Sequence, residues 1–133
     1  MKRILCIDDE EHMRNAIFRI CRRRGYEVVL AADGAEGIVH AKSSRFDLII
    51  LDILMPGLNG YDVLARLDEL GLGETPIILV TGKDGDREVL EGYRRGASYY
   101  LTKPFKQETL AAAVDYLVGE ISAEDRRALE LQL

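Results

Sequence analysis

The chain alternates short apolar runs with longer segments whose apolar residues recur at helical spacing. The central run, residues 48–51 (LIIL), is continuously aliphatic, which is typical of a strand covered on both faces. Comparable runs occupy residues 3–7, 27–31, 77–80 and 97–102, and a segment of helical periodicity follows each of the five runs. Five such alternations predict an α/β fold, a parallel sheet with right-handed crossovers and helices on both faces.

Turn and cap residues place the ends of the predicted helices. Gly25, Gly71 and Gly96 each follow a helical segment, where glycine is a favoured C-terminal cap. Asp33 and Glu36 have capping-box spacing for a second helix that runs to about Ser43.

A chain of 133 residues fits one domain. We expect that domain to span residues 1–118 and a C-terminal tail to span residues 119–133. The tail is expected either to extend the last helix or to begin a linker to an output domain outside this sequence. A capped segment is predicted within it, from Ser122 as N-cap, Asp125 at the third helical position, and Leu129 and Leu133 one turn apart.

Composition narrows the class of protein. The chain is 47% hydrophobic and 31% charged, and no window approaches the roughly 20 apolar residues of a membrane span. The apolar part of the opening MKRILCIDDE is too short for a signal peptide, so we expect a cytoplasmic protein with no membrane association. The net charge of −5 provides no general reason to bind nucleic acid, and the run Arg22–Arg24 is interpreted as cations at a helix C-terminus. Cys6 and Cys21 lack metal or redox spacing and are expected to be reduced core thiols.

Polar residues stand at the carboxyl ends of four predicted strands. Asp8 and Asp9 follow the first, Asp52 the third, Thr81 the fourth and Lys103 the fifth. Each has an ordinary structural explanation when taken singly, as a helix cap, a turn hydroxyl or a surface amine. Ligands of open parallel sheets bind in the crevice at these strand ends, so the joint placement predicts one site.

Three carboxylates in one crevice repel one another unless a cation neutralises them. Oxygen ligands without a nearby thiolate or imidazole indicate Mg²⁺ or Mn²⁺. A lysine ammonium and a threonine hydroxyl beside such an ion suit the oxygens of a phosphoryl group in transfer. Asp52 is then the candidate nucleophile, which would form an aspartyl phosphate.

Five motifs in this order resemble the receiver domain of two-component response regulators, over about residues 2–118. They are Asp8-Asp9, Asp52, Met55-Pro56-Gly57, Thr81-Gly82 and Lys103-Pro104-Phe105. The resemblance implies a flavodoxin-like, doubly wound five-stranded parallel sheet of order 2-1-3-4-5 with five helices. It also implies a signalling phosphoacceptor that assists only its own phosphorylation and dephosphorylation, rather than an enzyme.

The same resemblance implies a ligand set. Asp52 would accept the phosphoryl group from a sensor histidine kinase or a histidine phosphotransfer protein. Asp9, Asp52 and the backbone carbonyl of Leu54 would bind Mg²⁺ directly, and Asp8 would bind it through a water. Thr81 and Lys103 would hold the phosphoryl group.

A switch is implied as well. The Lys103–Pro104 peptide is expected to be cis. Phosphorylation would draw Thr81 toward the phosphate, and Tyr100 would rotate inward; from the residues alone, Tyr100 is a half-buried strand tyrosine. The readout would be the face of the fourth helix, fifth strand and fifth helix, used for homodimerisation or output control, with an output domain in the same chain as one arrangement. Surface charges expected on that face are Arg87, Glu88, Arg94, Lys106, Glu108 and Asp115.

Two positions depart from the common receiver pattern. Gly82 follows the threonine where many receivers have alanine, and Leu54 stands where many have a polar residue. In the family, Leu54 and Lys83 would flank the route of the water that hydrolyses the phosphoryl group. An apolar Leu54 cannot orient that water by a hydrogen bond, so we predict a phosphate lifetime different from that of fast chemotaxis-type receivers.

Other classes of protein use similar residues. A haloacid dehalogenase-type phosphohydrolase carries its nucleophile in a DxDx[TV] motif after the first strand, where this chain has Asp8-Asp9-Glu10-Glu11. A degenerate receiver would act as a docking module without taking phosphate, although Asp9, Asp52, Thr81 and Lys103 are all present. An FMN-binding flavodoxin would place a phosphate next to four successive acidic residues, which would repel it.

Overall fold

The computed structural model describes residues 1–119 and Arg127. The predicted capped segment of the tail, with Ser122, Asp125, Leu129 and Leu133, lies outside the described residues. Strands and helices alternate along the described part: β1 Arg3–Ile7, α1 Glu11–Arg23, β2 Glu27–Ala31, α2 Gly34–Ser43, β3 Leu48–Leu51, α3 Gly60–Glu69, β4 Ile77–Thr81, α4 Asp86–Arg94, β5 Tyr99–Thr102 and α5 Gln107–Val118.

The strands form one parallel sheet in the order β2-β1-β3-β4-β5, which confirms the predicted flavodoxin-like topology. All four residues of β3 are buried, as a central strand requires. The fifth strand begins at Tyr99 rather than at Ala97, because the Ala97 N–H donates to the Gly92 carbonyl (3.1 Å) and closes the end of α4.

Two apolar clusters cover the two faces of the sheet. One packs α2 and α3 against Leu5, Ile49 and Leu79, and the other packs α1 and α5 against the alternate strand residues, such as Ile50 and Ile78. Cys6 and Cys21 are buried and free, as predicted, and both belong to the second cluster. Burial raises the pKa of Cys21 to about 12.

Helix caps follow the predicted signals in part. Asp33 Oδ1 accepts from the Glu36 N–H (2.8 Å), whereas the Glu36 carboxylate accepts from the Ala32 N–H (2.9 Å) instead of completing the box on Asp33. A complete capping box joins Asn59 and Asp62 at the start of α3, directly after the Asp52 loop. That cap fixes where the loop ends and the helix begins.

The surface-charge interpretation is wrong for Asp115. Its side chain is buried on α5, where it accepts hydrogen bonds from the Tyr26 hydroxyl (2.5 Å) and from the Arg24 guanidinium. A buried carboxylate is tolerated when polar partners of this kind surround it. Arg24, the last residue of the basic run, therefore links the end of α1 to α5 rather than only facing the helix terminus. None of the helices in the described part is long and apolar enough to cross a membrane.

Candidate functional site: an acidic crevice with a bridging lysine

Strand register brings the acidic residues together. Ile7 pairs with Leu51 at the ends of β1 and β3, so the next residues, Asp8 and Asp52, emerge side by side at the carboxyl edge of the sheet. The Asp52 N–H donates to the Ile7 carbonyl (3.1 Å), which continues the ladder to the first residue of the loop. The apolar strands therefore determine how close the two carboxylates lie.

Three carboxylates converge at this edge. Asp8, Asp9 and Asp52 each present an oxygen within 4.8 Å of the others. The side chains of Asp8 and Asp52 are buried, whereas Asp9 is exposed and opens the cluster to solvent. Burial raises the pKa of the Asp8 carboxyl, although hydrogen bonds from the Glu10 N–H and from Lys103 act in the opposite direction.

Lys103 bridges two of the carboxylates. Its Nζ donates to Asp8 Oδ2 (2.9 Å) and to Asp52 Oδ2 (3.0 Å). Burial alone would lower the pKa of Lys103, but the hydrogen bonds and charges of Asp8 and Asp52 outweigh it, so the pKa is raised and the amine stays charged. The peptide bond between Lys103 and Pro104 is cis, as the resemblance implied.

The donor set of the crevice fits a divalent cation. Three carboxylates carry three negative charges and Lys103 returns one positive charge, so the cluster keeps two negative charges next to solvent. The cluster itself offers only hard oxygen donors, and Mg²⁺ prefers such ligands and retains several waters. The Leu54 N–H donates to Asp52 Oδ1 (3.1 Å), so the loop that carries the third expected ligand, the Leu54 carbonyl, is tied to the Asp52 side chain.

Thr81 on β4 and Tyr100 on β5 form hydrogen bonds with Lys83 in the loop after β4 rather than with the carboxylates. Thr81 is fully buried at the end of β4, and its Oγ1 accepts from the Lys83 N–H at 3.5 Å. The Tyr100 ring lies inward and its hydroxyl donates to the Lys83 carbonyl (2.7 Å), so Tyr100 is buried rather than half-buried. Burial raises the pKa of Tyr100 to about 12.

Leu54 and Lys83, the two residues expected to flank the route of the hydrolytic water, lie in the loops that follow Asp52 and Thr81. The Leu54 side chain is 54% exposed beside Asp52, and the Lys83 Nζ lies 3.6 Å from a carboxylate oxygen of Glu88 on α4. An exposed leucine offers no hydrogen bond to a water at this position, and the lysine is attracted toward α4.

Two residues that support the site were missed in the sequence. Arg14 Nη1 donates to the Asp8 carbonyl (2.9 Å) and so holds the β1–α1 loop. A Cβ atom at Gly60 would come within 2.5 Å of the Asp52 carbonyl oxygen, so only glycine allows α3 to begin this close to the loop. The signals were present: Arg14 lies one turn into the predicted helix, and Gly60 follows the Asn59 cap.

Comparisons with known proteins agree with this geometry. The family model described as the response regulator receiver domain matches residues 4–115. The transcriptional regulatory protein DltR of Streptococcus agalactiae is 39% identical over 84% of this chain, which covers 50% of DltR. Protein PilH of Pseudomonas aeruginosa is 34% identical over 90% of this chain and 99% of its own length. The response regulator protein TrrA of Thermotoga maritima, solved in complex with Mg²⁺-BeF, is 34% identical with a TM-score of 0.78, covering 88% of this chain and 99% of TrrA.

Proposed function

Because the chain belongs to the response regulator receiver domain family, we propose that Asp52 accepts a phosphoryl group from the phosphohistidine of a sensor histidine kinase or a histidine phosphotransfer protein. The observation that carries the assignment is the Lys103 ammonium, which contacts Asp8 and Asp52 inside a cluster of three carboxylates. A buried carboxylate with a lysine at hydrogen-bond distance is placed to attack phosphorus while the ammonium neutralises a phosphoryl oxygen.

The transfer balances without a further reactant. A carboxylate oxygen of Asp52 forms the new P–O bond while the P–N bond of the phosphohistidine breaks, and the electron pair leaves with the imidazole. Lys103 exchanges its bond to Asp52 for a bond to a phosphoryl oxygen, and the Thr81 hydroxyl, at the next strand end, donates to another. Mg²⁺ or Mn²⁺, when bound by Asp9, Asp52 and the Leu54 carbonyl with Asp8 through a water, supplies neutralisation of the remaining charge.

Hydrolysis of the aspartyl phosphate depends on the exposed rim of the crevice. Leu54 and Lys83 flank the open side, and neither places a neutral hydrogen-bonding group beside Asp52. Water is therefore poorly oriented there, and the phosphoryl group is longer-lived than in receivers with a polar residue at the position of Leu54. The protein assists its own phosphorylation and dephosphorylation and acts as a signalling element rather than as an enzyme on other substrates.

The readout lies on the surface formed by α4, β5 and α5. Tyr100 connects this surface to the site, because its hydroxyl bonds to the loop that follows Thr81. Dimerisation of two copies through this surface, or contact with an output domain, would transmit the phosphorylated state. The chain spans half the length of DltR, whose name describes a transcriptional regulator, and 99% of PilH, so its relatives include both longer proteins and proteins of its own length.

Phosphorylation with a small donor tests the proposal. The protein is incubated with acetyl phosphate and MgCl₂ and its intact mass is followed, with EDTA in place of MgCl₂ as a second condition. One phosphoryl adduct is expected in MgCl₂, strongly reduced in EDTA and absent in Asp52→Asn. Asp68→Asn, which removes an exposed carboxylate from α3, is the matched control and should retain the adduct.

Two results would contradict the proposal. Sustained consumption of the donor without an adduct would identify a phosphohydrolase. No adduct and no consumption in MgCl₂, from protein with a native circular dichroism spectrum, would identify a docking module that does not take phosphate.

A further inference from the structure

Helix α4 meets the rest of the domain in an unusual way. Its buried residue is a glycine, Gly92, and Leu90 and Tyr93 on either side are exposed. Glycine inside a helix is less favourable than alanine, because it has more conformational freedom to lose on folding. A glycine at the contact surface of an amphipathic helix therefore needs a reason in the packing.

The reason is the ring of Tyr100. A Cβ atom at position 92 would lie 2.4 Å from Tyr100 Cδ2, 2.6 Å from Tyr100 Cε2 and 3.2 Å from Leu79 Cδ1. Carbon atoms that are not bonded attract best at roughly 3.5 to 4.0 Å, so the two shorter distances are severe overlaps. The aromatic ring occupies the volume that any side chain at position 92 would need.

Two hydrogen bonds tie Tyr100 to its surroundings, one from the ring hydroxyl and one from the backbone N–H. The Tyr100 hydroxyl donates to the Lys83 carbonyl (2.7 Å), and the Tyr100 N–H donates to the hydroxyl of Tyr93 on α4 (3.1 Å). The Tyr93 and Tyr100 rings lie 6.5 Å apart between centroids. The ring therefore joins α4 to the loop that follows Thr81, and its position depends on how closely α4 approaches β5.

We propose that Gly92 is a positioning residue that admits Tyr100 to its buried place, so that a single added methyl group at position 92 drives the ring outward. Moving the ring outward breaks the bond from the Tyr100 hydroxyl to the Lys83 carbonyl and frees the loop behind Thr81. The position of the ring follows from packing alone, whereas its consequence for signalling rests on the proposed function.

The test is Gly92→Ala, read by the solvent exposure of the Tyr100 ring. Tyrosine ring signals are recorded by NMR with ¹³C-labelled tyrosine and a soluble gadolinium chelate, and the Tyr100 signal is assigned from Tyr100→Phe. In the unmodified protein the Tyr100 ring should be protected. In Gly92→Ala its relaxation enhancement should rise several-fold, to that of Tyr93, which is 43% exposed. Gly82→Ala is the matched control, because its added Cβ has nothing within 4 Å and should leave the ring protected.

A ring that stays protected in Gly92→Ala overturns the proposal, because α4 would then have moved instead. A double-mutant cycle of melting temperatures, with Gly92→Ala and Tyr100→Ala, provides a second test if Gly92→Ala alone does not fold. Where Tyr100→Ala has removed the ring, adding Gly92→Ala should leave the melting temperature unchanged or raise it. An equal loss of melting temperature in both backgrounds would show that the added methyl clashes elsewhere.

The two proposals fail separately. Ring exposure is measured on unphosphorylated protein, so it does not depend on whether Asp52 accepts phosphate. The mass adduct of the unmodified protein, in turn, does not depend on Gly92. If both hold, Gly92→Ala should take up phosphate from acetyl phosphate several-fold more slowly, since the loop behind Thr81 is no longer held. Uptake at an unchanged rate with the ring displaced would overturn the link between the ring and that loop.

Discussion

Lys103 holds the acidic crevice together in the absence of a divalent ion, and replacing it with methionine tests this directly. At an effective dielectric constant of about 20, two like charges 4.8 Å apart repel by about 3.5 kcal/mol, and each of the three carboxylate pairs in the crevice lies within that distance, so this is the least repulsion per pair on that scale. Each attraction from the Lys103 Nζ, at 2.9 and 3.0 Å, is worth roughly 5.5 kcal/mol on the same scale. Two attractions of this size offset much of the repulsion among the three carboxylates, and that compensation is lost when the lysine is removed.

Lys103→Met keeps the length of the side chain and removes its charge. Removing one partner of a buried ion pair lowers the free energy of unfolding by about 3 to 5 kcal/mol. Because Asp9 is exposed and the cluster opens to solvent, we expect a loss at the lower end of that range, about 3 kcal/mol in EDTA. MgCl₂ should restore more stability to Lys103→Met than it adds to the unmodified protein, because the ion then replaces the missing positive charge.

Urea unfolding followed by circular dichroism, in EDTA and in MgCl₂, measures both effects. Lys106→Met is the matched control, because Lys106 is exposed and makes no capping hydrogen bond at the start of α5; its free energy of unfolding should change by less than about 0.5 kcal/mol. If Lys103→Met in EDTA is as stable as the unmodified protein, the carboxylates do not repel as the geometry requires and the electrostatic account is refuted.

Three further outcomes are expected. Leu54→Asn provides an amide that can orient water beside Asp52, so the aspartyl phosphate should decay several-fold faster by intact mass, and an unchanged lifetime would contradict the proposed role of Leu54. Because the folded protein binds the Tyr100 phenolic proton more tightly than the unfolded chain does, its free energy of unfolding should fall as the pH rises from 10 toward about 12. In urea titrations the free energy of unfolding of Tyr100→Phe should fall less over the same range, and an equal fall would rule out the buried phenol as the cause. Gly37→Ala should destabilise the fold by about 1 to 3 kcal/mol, because its Cβ would lie 2.4 Å from Ile7 Cδ1 and 2.7 Å from Ile7 Cγ1; Ile7→Val removes the first of these atoms and keeps the second, so it should recover part of the loss when combined with Gly37→Ala.

The strands were predictable because the constraint on them is local, whereas their order was an expectation from the resemblance to receiver domains. An interior parallel strand is buried on both faces, so its residues must be apolar over the whole run, and the first polar residue marks the end of the strand at the crevice. Asp8 and Asp52 were found in this way and Lys103 by its place directly after the fifth strand, and the structure places the Lys103 Nζ in direct contact with both carboxylates. Their residue types then limited the chemistry to oxygen ligands, an ammonium and a carboxylate nucleophile.

Side-chain partners from distant parts of the chain were decided only by the tertiary structure. Asp115 has the sequence context of a surface acid on an amphipathic helix, but the packing of α5 against the end of α1 buries it against Tyr26 and Arg24. In the sequence Gly92 resembles an ordinary flexible residue, and only the structure shows that the Tyr100 ring occupies the space that a side chain at position 92 would need. The physical reason is that periodicity records which face of an element is buried. Which atoms meet across that face depends on the separation and rotation of whole elements, and no local stretch of sequence encodes them.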